Sequence, residues 1–150
     1  KDEHGEFLAR ANSVWSLLDT ETGRPASIPA CMTEGYRMGE KLEMDYAPRK
    51  IVIPSGGDLR EPVVVRAHHL DTNHHVNNQQ FIDIAMDYLP EGFAVRQVRA
   101  EYRKQAFLGD VLVPRVAGEG ACVCVALEDS EGKPYVVAEF TRPDGGKNVT

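Results

Sequence analysis

The stretch His68-His69-Leu70-Asp71-Thr72-Asn73-His74-His75-Val76-Asn77-Asn78 lies where an apolar, strand-like run gives way to a helical pattern. Four histidines, three asparagines and one aspartate fall within its eleven residues. Donors, acceptors and side chains that titrate near neutral pH at this density point to an active site rather than to packing. Before it, Val63-Val64-Val65 begins a β-rich run that reaches Ala67. After it, Phe81, Ile82, Ile84, Ala85, Met86, Tyr88 and Leu89 spread apolar side chains over most of a helix surface, so that helix has to be wrapped by other elements. Asn77 with Gln80 three residues on predicts a capping box, with Asn in place of the usual Ser or Thr, and Pro90-Glu91-Gly92 supplies the stop.

Beyond the helix, Val98, Ala100 and Tyr102 alternate with Gln97, Arg99, Glu101 and Arg103, the period of a half-buried strand. Further strands are expected over residues 111–117, 121–127 and 135–141, separated by Gly118-Glu119-Gly120 and Asp129-Ser130-Glu131-Gly132. Turns this short join antiparallel neighbours. A strand, a buried helix and then an antiparallel meander predict an α+β fold in which one sheet curls around one long helix. Upstream, residues 6–19 read as a long strand ending in the turn Asp19-Thr20-Glu21-Thr22-Gly23, residues 24–29 as a short return strand, and residues 31–42 as a modest helix. Ser55-Gly56-Gly57-Asp58 is the clearest break, so the domains are expected to be residues 1–57 and 58–150.

The chain has 150 residues, 42% of them hydrophobic, enough for one ordinary core. A net charge of −6 argues against a nucleic-acid binder, which needs a basic face to neutralise phosphates. No run reaches the length of a membrane helix, and Lys1-Asp2-Glu3-His4-Gly5-Glu6 does not resemble a secretion signal. Cys31, Cys122 and Cys124 make no disulfide framework, which suits a reducing cytoplasm. The sequon Asn148-Val149-Thr150 carries no weight without a secretion signal.

Asp71-Thr72-Asn73-His74-His75-Val76-Asn77-Asn78 closely resembles the Asp-x-Asn-x-His-Val-Asn-Asn signature of the acyl-[acyl carrier protein] thioesterases, bacterial and plant-plastid. Phe81-Ile82 and Glu101-Tyr102-Arg103-Lys104 fit the same pattern, as do Ala9-Arg10-Ala11-Asn12-Ser13-Val14-Trp15 and Gly23-Arg24-Pro25-Ala26-Ser27-Ile28-Pro29. The resemblance implies a double hot-dog architecture. Residues 1–57 would hold the closing strands of a first repeat plus a linker helix, and 58–150 a complete second repeat with the catalytic motif. It implies release of free fatty acid from acyl carrier protein at the end of fatty acid synthesis, in a bacterial cytoplasm and without a cofactor. It also implies that a chain lacking most of the first repeat keeps the chemistry but loses much of the acyl pocket.

Resemblance assigns Asp71, Asn73 and His75 to catalysis, and the chemistry agrees. His75 is the natural acid/base, Asp71 can orient it, and Asn73 offers an amide to an oxyanion or a water. The helix start beyond Asn77 adds backbone N–H groups and partial positive charge. Plant relatives place Glu and then Cys after the Tyr-Arg-Arg that corresponds to Tyr102-Arg103-Lys104, whereas this chain has Gln105 and Ala106. A Cys-His-Asn mechanism therefore has no thiol at that position. Water attack assisted by His75 or Asp71, with Gln105 positioning the water, is expected, although strand alternation groups Gln105 with Glu101, and Glu101 remains the other candidate.

Plainer roles compete with each assignment. Asp71 and Asn77 can serve only as turn and cap residues, and His68, His69 and His74 as structural or exposed side chains. A zinc site fits no standard spacing, and adjacent histidines on a strand point to opposite faces. Trp15 is expected in the core. Arg96, Arg99, Arg103 and Lys104 form the basic concentration expected to meet an acidic carrier protein. Two further readings stand beside the first: a single-repeat acyl-CoA thioesterase acting as a homodimer, and a non-catalytic acyl-binding module.

Overall fold

Contacts divide the chain between Tyr46 and Ala47, and the computed structural model describes residues 1–37, 39–43 and 46–143. In the unit Lys1–Tyr46, β1 (Leu17–Leu18) pairs antiparallel with β2 (Pro25–Ala26), and α1 spans Ala30–Thr33. The turn between the strands forms where expected, with Asp19 Oδ1 accepting from the N–H groups of Glu21 and Thr22. The strand expected over residues 6–19 shortens to two residues, and the helix expected over 31–42 to four. Met38, part of that helix expectation, lies outside the described residues, as do Met44, Asp45 and the sequon at 148–150. A two-stranded ribbon offers no face broad enough to bury much. Accordingly α1 buries no residue, and Trp15 stands exposed rather than in a core, its Nε1 donating to Ser13 Oγ.

The unit Ala47–Thr150 contains β3 (Asp58–Leu59), β4 (Val63–Val64), a 3-10 turn (Ala67–His69), α2 (Asn78–Met86), β5 (Gln97–Tyr102), β6 (Val111–Ala117), β7 (Cys122–Glu128) and β8 (Pro134–Thr141). The sheet order is β3-β6-β7-β8-β5, every pairing antiparallel, with β4 also on β6. This is the hot-dog arrangement. Period-2 alternation sends Val123, Val125 and Leu127 of β7 and Val136, Ala138 and Phe140 of β8 to one face, where Phe81, Ile84 and Ala85 of α2 meet them. The opposite face carries Cys124, Ala126 and Val137, covered by Ile51 and Ile53. The central strands are thus buried on both sides.

Three expectations change. α2 ends at Met86 rather than running on through Leu89, because Tyr88 and Leu89 donate to the carbonyls three residues back, of Ala85 and Met86. This tighter turn still packs Tyr88 and Leu89 against the core. In β5 the apolar set Val98, Ala100 and Tyr102 is exposed, and Arg99 and Glu101 are the more covered residues. The cause is the segment 48–51 laid over their face: Arg99 donates to Pro48 O at 2.7 Å, and Ile51 N–H donates to Glu101 Oε2 at 2.9 Å. The same segment moves the boundary ahead of the Ser55–Asp58 break. Gly57 presses so close to β6 that a Cβ there would lie 2.8 Å from Val116 O, and Arg115 donates to Gly57 O.

Phe140 is fully buried where α2 meets β8, and few rearrangements can fill the space its ring leaves. Phe140→Ala is therefore expected to lower unfolding free energy by about 3–5 kcal/mol, read from the midpoint of urea denaturation.

Candidate active site

Leu70 and Val76 form an antiparallel bridge that closes the loop between them. Asp71 and His75 sit just inside that bridge. Asp71 N–H donates to His75 O at 2.8 Å and His74 N–H to Asp71 O at 3.0 Å. Asp71 Oδ1 accepts from Asn73 N–H at 2.8 Å and from His75 N–H at 3.3 Å. Aspartate is suited to this because its short side chain returns to its own turn. His74 takes the left-handed φ of 60° needed to bring the chain around. Outside the bridge, Asn77 N–H donates to His69 O and Val76 N–H to Ala106 O, each at 2.9 Å. Asn77 then starts α2, its Oδ1 accepting from Gln79 N–H at 2.8 Å. This is a single Asn cap and not the expected box, since the Gln80 amide turns toward Asp83.

The loop and the end of β5 frame an open cavity of about 290 Å³. Asp71, His75 and Asn78 line it from the loop and helix start, Val76 and Phe81 form apolar wall, and Tyr102, Arg103, Lys104 and Gln105 complete it. Asp71 and His75 are both half-buried. Burial pushes the Asp71 carboxyl up, but the N–H groups of Asn73 and His75, with the nearby imidazole, outweigh it and hold the group below its ordinary 3.8. The His75 ring meets Phe107 edge-on, centroids 5.0 Å apart. No hydrogen bond from the described residues reaches its ring nitrogens, which leaves them available to water or substrate.

The structure brings Asp71, His75 and Gln105 to one cavity. Asn73 sits at the exposed tip of the loop, outside the cavity wall. Glu101 is on the other side of the sheet, its Oε2 taken by Ile51 N–H and by Arg103 at 2.8 Å. Burial raises that carboxyl, and Arg103 with the Ile51 N–H more than reverses it. The expected grouping of Gln105 with Glu101 fails just beyond the end of β5. Arg103 and Lys104 N–H groups both donate to Tyr135 O, at 2.8 and 3.2 Å, and two donors on one carbonyl form a bulge that resets the alternation.

Sequence reasoning did not single out Tyr102, whose hydroxyl donates to Asn78 O, or Phe107 against His75. Phe107 carries no signal of its own, and Tyr102, although it lies in a stretch that fits the family pattern, owes its place at the helix start to a contact 24 residues away. The expected basic patch is largely spent within the chain. Arg99 pairs with Glu139, Arg103 with Glu101 and Lys104 with Asp129, whose carboxyl this bond pulls down to about 2. Cys124 is buried, its thiol pushed by desolvation up to about 11, and neither it nor Cys122 lines the cavity. Among the described residues, no three His, Cys, Asp or Glu side chains converge to hold a metal ion.

The family model described as "Acyl-ACP thioesterase C-terminal domain" matches residues 55–133, more than half of the chain and all of the cavity. The chain belongs to the acyl-ACP thioesterase family. It is 27% identical over 124 residues to the chloroplastic acyl-[acyl-carrier-protein] hydrolase FATB1 of Cuphea viscosissima, covering 72% of this chain and 28% of that protein. To the chloroplastic dodecanoyl-[acyl-carrier-protein] hydrolase of Cinnamomum camphora it is 27% identical over 152 residues, covering 91% and 40%. The chain thus spans well under half the length of these two family members. The fold is shared with the crystal structure of an acyl-ACP thioesterase from Bacteroides thetaiotaomicron, at a TM-score of 0.68 and 16% identity, covering 83% of this chain and 52% of that one.

His74 tests the loop geometry independently of catalysis. Its φ of 60° suits Asn and Gly but not a β-branched residue. His74→Asn is expected to leave the denaturation midpoint nearly unchanged, while His74→Val lowers stability by about 1–2 kcal/mol.

Proposed function

We propose that this member of the family hydrolyses the thioester joining a fatty acyl chain to acyl carrier protein and releases the free fatty acid. The observation that carries this is the convergence of Asp71 and His75, with Gln105, on one cavity beside the start of α2. His75 removes a proton from a water molecule as the water oxygen bonds to the carbonyl carbon. Asp71, held ionised, favours the imidazolium that results, and Gln105 positions the water. The carbonyl oxygen gathers negative charge near the helix N-terminus, where the N–H groups of Asn78 and Gln80 lie in the first turn. Asn73, at the exposed tip of the loop, serves this site through its N–H on Asp71 Oδ1. The C–S bond then breaks, and the imidazolium returns its proton to the departing thiolate.

The size of the cavity fits the reacting group and its nearest carbons. At about 290 Å³ it stands at the lower end of the volumes of small-molecule pockets. Hydrolysis of a ladder of acyl carrier proteins, and of the same acyl chains on CoA, tests the reading. His75→Ala and Asp71→Asn are each expected to lower kcat/KM at least about tenfold. The second substitution keeps an oxygen at Oδ1 for the two loop N–H groups, so it removes charge while leaving the turn its acceptor. Unchanged turnover in both variants would sink the catalytic assignment. Faster turnover on CoA than on the carrier protein would favour the single-repeat acyl-CoA reading, and stoichiometric acyl binding without turnover the non-catalytic one.

A further inference from the structure

One buried residue holds both ends of the loop that carries Asp71, Asn73 and His75. His69 is 8% exposed. Its ring Nδ1 accepts the Arg66 N–H at 3.0 Å, which fastens the 3-10 turn leading into the loop. Its main-chain carbonyl accepts the Asn77 N–H at 2.9 Å, at the residue that caps α2 on the way out. The Leu70–Val76 bridge lies directly inside these two bonds. Because Nδ1 is an acceptor, the ring is neutral with its proton on Nε2. A second proton would have to go to Nδ1, where it would face the Arg66 N–H head-on.

The geometry points to His69 as a positioning residue for the hydrolysis proposed above, on which this inference rests: its neutral ring and its carbonyl clamp the base of the loop, and protonation of the ring breaks the half of the clamp that holds Arg66. The surroundings favour the neutral form. Burial lowers the ring from its ordinary 6.5, and the neighbouring His68 and Arg66 act in the same direction. The His68 ring meets it at 4.1 Å between centroids. From the loop, Asp71 directs Oδ1 to the Asn73 and His75 N–H groups, and Asn77, from the start of α2, is uncharged. A ring that binds its proton less readily folded than unfolded stabilises the fold fully above about pH 6.5, and that contribution is lost as pH falls through the lowered value.

The test uses the full chain and two substitutions, His69→Ala and His69→Asn. Asparagine can put an oxygen where Nδ1 lies and does not titrate. The measurements are the pH profile of kcat/KM, NMR titration of the His69 ring, and hydrogen exchange at the Arg66 and Asn77 amides. His69→Ala is expected to lower kcat/KM about tenfold or more with KM little changed, and to speed exchange at the Arg66 amide, whose acceptor is lost, more than at Asn77, whose main-chain acceptor stays. His69→Asn is expected to recover activity to within about threefold and to remove one ionisation from the acid limb, which moves to lower pH. Wild-type exchange and rate in His69→Ala, an unmoved acid limb in His69→Asn, or a wild-type ring protonated on Nδ1 at neutral pH would each overturn the clamp. If His69→Ala does not fold, His69→Asn and the wild-type titration still decide it. If the wild-type chain turns over no acyl carrier, the functional reading fails, while ring titration and amide exchange continue to judge the clamp.

Discussion

The N–H groups of Asn73 and His75 meet the same carboxylate oxygen of Asp71, at 2.8 and 3.3 Å, and the shape of the loop follows from that. A tight loop breaks the backbone ladders on either side of it, and its polar groups need partners from within. Asp71 supplies one, and its own N–H and carbonyl bond to His75 O and His74 N–H. The turn is so tight that His74 crosses into positive φ. What results is an imidazole held at the cavity beside a carboxylate that its own backbone keeps ionised. Structural and chemical duties of Asp71 are therefore not alternatives, since the bonds that make it a turn residue also secure its charge.

The loop is in turn only as rigid as what it leans on. Val76 N–H donates to Ala106 O, and Phe107 next along places its ring against His75. Residues 106–110 are themselves fixed: Asp110 Oδ2 accepts the Phe107 N–H, and Asp110 O accepts the Val65 N–H at the entrance to the motif. The two sides of the cavity are thus tied by the main-chain bond from Val76 to Ala106, with the Phe107 ring and the short Asp110 side chain supporting it. That suits a site which has to hold a reacting group within a fraction of an ångström.

How far the sequence could be read follows the range of the interactions involved. The strands β6, β7 and β8 and the Asp71–Asn78 motif were legible because alternation, short turns and cap residues act over a few positions. The covered face of β5 was not, because Arg99 and Glu101 are sheltered by residues 48–51, half the unit away in sequence, and amphipathic pattern alone favours Val98 and Tyr102. Gln105 and Glu101 could not be separated for a related reason. The bulge that swings Gln105 to the cavity depends on the carbonyl of Tyr135, in a strand whose register no local pattern reports. The four basic residues read as one patch, yet Arg99 and Lys104 find carboxylates across the fold and Arg103 finds one two residues away. Trp15 was expected in the core, but a large apolar side chain cannot say whether a broad enough face exists to receive it.

Gln105 also bears on which group moves the proton. Two carboxylates sharing a small cavity repel, and one of them is driven toward its protonated form. Gln105 brings no second carboxylate to this cavity. Here the amide is neutral, and the charge of Asp71 stays undivided. Lys104 on the same wall is already matched by Asp129 and does little to offset it. Among the groups lining the cavity, Asp71 is the one carboxylate and His75 the one imidazole, and the Gln105 amide can both accept from a water and donate to an oxygen. On the mechanism proposed above, Asp71, held ionised below the ordinary carboxylate range, is then the fixed charge of the site, and His75 is the group that carries the proton.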